Sequence, residues 1–333
     1  MMYFGNYRTS ILIAGLFICT TTIAQSKTGL TGKPDTSFNT NAEYLKQLRY
    51  YPSIKIVPEF HSKLIKEKHQ LEYCKTGDRK LYLDAFYPKI KSHRNGASVM
   101  IIFGGGWRSG NRSQHYPLAE RLAQLGYVCF TPDYRLSTEA LYPAAVYDLK
   151  AAIRWIHKHG KKYGIDDNKL AVMGFSAGGE LAAFLGTTIG NKQFEGDNCN
   201  ASYSGNIGAV IDLDGTLSFV HPESGEGDDT KRTSSATYWF GYSKKENSSL
   251  WAAASPLTYA GPNTPPTLFI NSSVERMHAG REDYIKILKS NNIETEVKSF
   301  PNSPHSFPLF YPWFDPMVEY TNEFLKQVFF KSK

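Results

Sequence analysis

The chain has 333 residues, 41% of them hydrophobic, and a formal net charge of +7. Such a chain holds one large domain or two small ones, and its composition excludes a fibrous or disordered protein. The positive charge forms no Lys/Arg tract, zinc-type spacing or aromatic–basic ladder, which excludes nucleic acid and leaves an acidic polysaccharide as the polyanion to consider.

In residues 1–24, Arg8 is the one charged side chain, Ile11 to Ile23 is mostly apolar, and Thr22-Ile23-Ala24 ends in a small residue. That run is too short to span a bilayer. Residues 1–24 therefore read as a secretory signal peptide, and the mature chain as secreted or periplasmic with no transmembrane segment. Cys19 raises a lipoprotein anchor as the alternative, and bulky Phe17 and Ile18 stand against it. Cys74, Cys129 and Cys199 remain, an odd number that excludes a full disulfide framework. Cys129, in the apolar "YVCF", reads as a buried thiol, and one Cys74–Cys199 bridge is left open.

Residues 25–66 are polar and weakly patterned, a leader expected to lie on the surface of a domain spanning 67–333. "QLEYCKTGDRKLYLDAFYP" predicts two strands about the turn Thr76-Gly77-Asp78. "ASVMIIF", residues 97–103, is a short apolar run, as in a strand buried on both faces. It runs into "FGGGW", residues 103–107. Three glycines can be no more than a flexible loop. Ahead of the first long helix they also leave amide N–H groups free to face an anion, so Gly105 and Gly106 are oxyanion-hole candidates, with Trp107 as a further donor or substrate contact.

Leu118, Leu122 and Leu125 at helical spacing, then "YVCFTPDY", then the amphipathic "AAVYDLKAAIRWIHKHGKKYG" give helix, strand and helix, the last with a basic C-terminal end that suits its dipole. "KLAVMGF" is the next strand, and it ends in Gly174-Phe175-Ser176-Ala177-Gly178. A serine between glycines can simply cap the following helix. At a strand-to-helix turn, the G-x-S-x-G pattern instead thrusts the hydroxyl outward as a nucleophile, with the Ala177 amide as a second oxyanion donor. Strands follow at "IGAVIDLDG", "TPPTLFINSS" and "IETEVKSFP", and helices at "HAGREDYIKILKSNN" and "MVEYTNEFLKQVFF". Hydrophilic inserts at about 190–206 and 216–250 interrupt the alternation. The second carries Trp239, Phe240 and Tyr242, which fit equally a sugar-stacking wall or the core. Alternating strands and helices predict an α/β fold, a mostly parallel central sheet with helices on both faces.

A serine hydroxyl needs a base, and the base an orienting carboxylate. His305 in "NSPHSF" follows the last strand and is the expected base, with His278 its competitor. In the chain order Ser, acid, His, Glu275 is the first carboxylate after the penultimate strand and is the expected acid. Asp214, ending "IDLD", is the alternative, and Asp283 a third inside a helix. No cysteine or histidine cluster has metal spacing, and the scheme needs no cofactor.

With "GGGW" at 104–107, "PDYRL" at 132–136, "YPAAVYDLKAAIRW" at 142–155, "GFSAGG" at 174–179 and "PHSF" at 304–307, residues 67–333 resemble an α/β-hydrolase of the esterase and lipase branch. Two positions depart from that pattern. Phe103 stands where a histidine usually precedes the triple glycine, and "SSVERMHAGRED" lacks the usual Asp after the penultimate strand. The same blocks, with "IDLDG" and "HPESGEG", are similar to secreted bacterial esterases that trim plant cell-wall polysaccharides, which implies a carbohydrate ester as substrate. Arg108, Arg112, Arg276 and Arg281 lie near the expected site in sequence, and Arg–carboxylate contacts are directional. If they face the cleft, they suit an anionic chain, and the favoured expectation is pectin methylesterase. An acetyl esterase of xylan or pectin is the alternative. A catalytically inactive carbohydrate-binding module on the same fold is the reading of another class.

Overall fold

The computed structural model describes residues 28–196 and 199–331, with Met1, Met2 and Gly5. The expected signal peptide thus falls outside the described residues, apart from those three positions. No described helix is long and apolar enough to cross a membrane.

The elements follow in chain order as α1 (Thr40–Gln47), β1 (Lys55–Ile56), β2 (Ile65–Thr76), β3 (Arg79–Pro88), β4 (Ser98–Ile102), α2 (Tyr116–Gln124), β5 (Val128–Pro132), α3 (Ala144–Tyr163), β6 (Leu170–Phe175), α4 (Ala177–Thr187), β7 (Ala209–Leu213), α5 (Ser235–Phe240), α6 (Ser248–Ala253), β8 (Thr267–Asn271), α7 (Arg281–Ser290), β9 (Thr295–Ser299), β10 (Phe310–Tyr311) and α8 (Phe314–Phe330). Eight strands form one sheet in the order β2-β3-β5-β4-β6-β7-β8-β9. The β2–β3 hairpin and the β3–β5 pair are antiparallel, and every later pair is parallel. β4, β6 and β7 are buried along their whole length, as expected for short apolar strands covered by helices on both faces. One hydrophobic cluster on each side of the sheet makes the core.

Register places the site. Ile102 pairs with Gly174, Phe175 with Leu213, Leu213 with Ile270, and Asn271 with Ser299. The C-terminal ends of β4, β6, β7, β8 and β9 therefore form one row, and the loops that follow them converge. In open α/β sheets that edge is where ligands bind.

Residues 28–61 are stitched to this edge. Asp35 bridges to Ser109 and pairs with Arg108, Gly29 donates its amide to the Tyr238 carbonyl, and Glu43 of α1 accepts from Ser306 Oγ at 3.1 Å. β1 pairs with β10. The leader thus holds the loops on either side of the nucleophile rather than merely lying on the surface. Cys74 and Cys199 form a disulfide that ties β2 to the 190–206 insert, and Cys129 is a buried free thiol.

His115, ahead of α2, packs edge-on to the Phe175 ring at 5.9 Å, and its Nε2 has no partner among the described residues. Burial pulls its pKa down to about 3. The unfolded chain takes up this proton near pH 6.5 while the folded chain stays neutral. Stability from the neutral ring is therefore present above about pH 6.5 and is lost as pH falls towards 3, by up to about 1.4 kcal/mol per pH unit. The expected result is a shallower fall of melting temperature between pH 6 and 4 in His115→Gln than in wild type. Parallel falls would contradict it.

Candidate active site

Ser176 stands between β6 and α4 with φ 58° and ψ −120°, a strained backbone for a residue with a side chain. The flanking glycines make this turn sterically feasible. A Cβ on Gly174 would sit 1.9 Å from the Gly178 carbonyl oxygen, and one on Gly178 would sit 2.2 Å from that of Ile102. The turn aims Ser176 Oγ at His305, whose Nε2 lies 2.8 Å away.

His305 Nδ1 lies 2.9 Å from Asp214 Oδ2. Burial pushes the Asp214 carboxyl up, but hydrogen bonds from His278, His305 and Ser272 outweigh it and hold the group well below its usual value. Ionised Asp214 can only accept, so Nδ1 carries the ring proton and Nε2 is left to accept from Ser176. The other carboxylate oxygen is held by His278 Nε2 at 3.0 Å and by the Ser272 amide at 2.8 Å. Asp214 therefore carries one histidine on each oxygen.

The carboxylate that the fold brings to His305 is Asp214, the alternative at the level of sequence, and not Glu275. Asp214 leaves β7 with φ 56°, and its fully buried side chain reaches His305. Glu275 opens a 3₁₀ turn after β8 and is exposed to solvent. Asp283 lies on α7, where its carboxylate is 3.6 Å from His221. His278, weighed as a rival base, instead supports the acid. The signal for Asp214 was an Asp-Gly directly after an apolar strand, since Asp is among the few residues that tolerate a left-handed backbone.

Gly105, Gly106 and Trp107 all have positive φ (132°, 60° and 56°), a tight turn at the end of β4. The amides of Gly105, Gly106 and Ala177 donate to no protein acceptor among the described residues. All three residues follow β4 or β6 at the sheet edge that carries Ser176, where donors for an oxyanion are needed. Trp107, expected at the substrate, is instead buried. It stacks on Trp239 with centroids 4.9 Å apart, and its Nε1 donates to Glu180 Oε2 at 2.9 Å, locking the glycine turn to α4.

Three arginines expected at the cleft are engaged by protein acceptors. Arg108 pairs with Asp35 at 2.7 Å and lies over the Tyr238 ring. Arg112 bridges Asp84 and Asp133. Arg281 donates to Asn271 and Glu282. Each meets an acceptor that the fold brings close. Arg276 is the exception. Its side chain is 54% exposed, and Nη1 lies 3.7 Å from Glu226 Oε1. Of the insert aromatics, Trp239 and Phe240 belong to the core, while Tyr242 is exposed.

Residues 83–279, more than half of the chain, match the family model described as BD-FAE. The chain is 25% identical over 258 residues to esterase LipQ of Mycobacterium tuberculosis, covering 76% of this chain and 60% of LipQ. It is 34% identical over 134 residues to esterase LipC of the same organism, covering 40% of this chain and 33% of LipC. It thus spans about a third to three fifths of the length of these curated relatives. Among solved structures, butyrate-bound Thermogutta terrifontis esterase 2 superposes with a TM-score of 0.63 at 25% identity, covering 80% of this chain and 95% of that one. A truncated carbohydrate esterase from gut microbiota has the same fold, with a TM-score of 0.63 at 21% identity, covering 82% of this chain and all of that one.

Proposed function

This chain belongs to the BD-FAE family and has the α/β-hydrolase fold, and we propose on that premise that it is a serine carboxylic ester hydrolase acting on acetylated plant cell-wall polysaccharide. The observation that carries the reading is the continuous Ser176–His305–Asp214 relay, at 2.8 and 2.9 Å, beside unengaged backbone amides. A binding module would have no use for a strained serine, an oriented base and an oxyanion turn together.

Ser176 Oγ attacks the ester carbonyl as His305 Nε2 takes its proton. The ionised Asp214 at Nδ1 stabilises the imidazolium that forms. The amides of Gly105, Gly106 and Ala177 receive the negative carbonyl oxygen. His305 then passes the proton to the ester oxygen of the sugar as the acyl C–O bond breaks, releasing the sugar hydroxyl and leaving acyl-Ser176. Water, deprotonated by the same nitrogen, releases the acid and restores the serine.

Two features bear on the substrate. The name of the carbohydrate esterase with this fold supports a sugar ester. The engagement of Arg108, Arg112 and Arg281 with protein acceptors leaves Arg276 alone of the four arginines for a uronate, which favours acetyl over methyl esters. Export is part of the proposal, and the Cys74–Cys199 disulfide supports it, since such bridges persist in oxidising compartments. The test assays acetate from acetylated xylan and methanol from methyl-esterified pectin, with wild type and Ser176→Ala side by side. Acetate release, absent in the variant, is expected. Methanol alone would overturn the acetyl reading and reinstate pectin.

A further inference from the structure

The insert between β7 and β8 brings to the site one carboxylate that the acyl-transfer scheme leaves unused. Glu226 has only 17% of its side chain exposed. The Ala236 amide lies near enough to its carboxyl to pull it down. The preceding residue, Ser235, presses on the oxyanion turn, with its Oγ 2.8 Å from where a Cβ on Gly106 would stand. On the other side is Arg276 Nη1, two residues from His278, which holds Asp214. Glu226 is thus bracketed by the oxyanion turn and the loop that supports the acid. Burial pushes its carboxyl up, while the charges of Arg276, His305 and Lys244 pull it down, so the catalytic histidine is within its electrostatic reach. Glu226 also lines a shallow, open trough together with Ser224, Asp228, Lys244 and Ser248.

We propose that Glu226 is the sugar-recognition residue of this site, accepting hydrogen bonds from ring hydroxyls of a neutral acetylated saccharide seated in the trough. The inference rests on the polysaccharide-ester reading above and adds the residue that selects within it. A carboxylate accepts from two vicinal hydroxyls at once, and such charge-assisted bonds are about twice as strong as neutral ones. It also disfavours a uronate, whose like charge would meet it across a partly desolvated gap.

The experiment measures kcat/KM for an acetylated xylo-oligosaccharide and for 4-nitrophenyl acetate, in wild type and Glu226→Gln. The ratio of sugar ester to nitrophenyl ester is expected to fall about tenfold, through KM of the sugar ester, the loss of one charge-assisted hydrogen bond. Both substrates report on the same active molecules, so partial misfolding cancels in the ratio. An unchanged ratio, with wild type cleaving both substrates, overturns the role of Glu226 alone. Wild type cleaving the nitrophenyl ester but not the oligosaccharide overturns the polysaccharide reading and the subsite with it.

Discussion

Ser176→Ala is expected to lower kcat on any ester by about 10⁴- to 10⁶-fold, because nothing else at the site can form the covalent intermediate. The residual rate would come from the amides of Gly105, Gly106 and Ala177, which still favour a charged oxygen on a substrate attacked directly by water. Stability should move little. Alanine keeps the Cβ and hence the same backbone strain at φ 58°. What is lost is one half-buried hydrogen bond to His305, about 1 kcal/mol. Kinetics on 4-nitrophenyl acetate and a thermal melt of the same sample check both parts. A folded variant with substantial activity would mean that the nucleophile is elsewhere.

Asp214→Asn is expected to lower kcat by about 10⁴-fold, whereas Glu275→Gln changes it by less than about twofold. The two substitutions remove equal charge, so the contrast reports geometry. An asparagine amide facing His305 donates where the carboxylate accepted. That forces the ring proton onto Nε2, which can then no longer take the proton of Ser176. Asn is the right probe because position 214 has φ 56°, a conformation that Asn tolerates well. Glu275 is exposed on its 3₁₀ turn, so its loss touches nothing in the relay. Steady-state kinetics of both variants decide the matter, and the reverse ranking would return the role to Glu275.

The strands, the serine turn, the glycine turn and His305 were legible because local rules govern them. A short apolar run signals a buried strand, and only glycines permit the approach of Gly174 to Gly178 that the turn needs. The acid was not legible, because chain order admits any carboxylate between Ser176 and His305. The deciding fact is a left-handed residue at the end of β7, whose side chain meets partners 64 and 91 positions away. The arginines failed as guides for a related reason. Arg108 follows the oxyanion turn directly in sequence, yet it answers to Asp35 in a leader that carries no pattern of its own. Trp107 was misjudged because its partners, Glu180 and Trp239, lie far along the chain.

The central claim is that His305 and Asp214 make Ser176 a nucleophile. It is tested most directly by brief exposure to a fluorophosphonate, followed by peptide mapping by mass spectrometry. The account predicts a single adduct, on the peptide that carries Ser176, absent from Ser176→Ala and strongly slowed in Asp214→Asn. A folded wild-type protein that takes no label, or takes it at another residue, would contradict it.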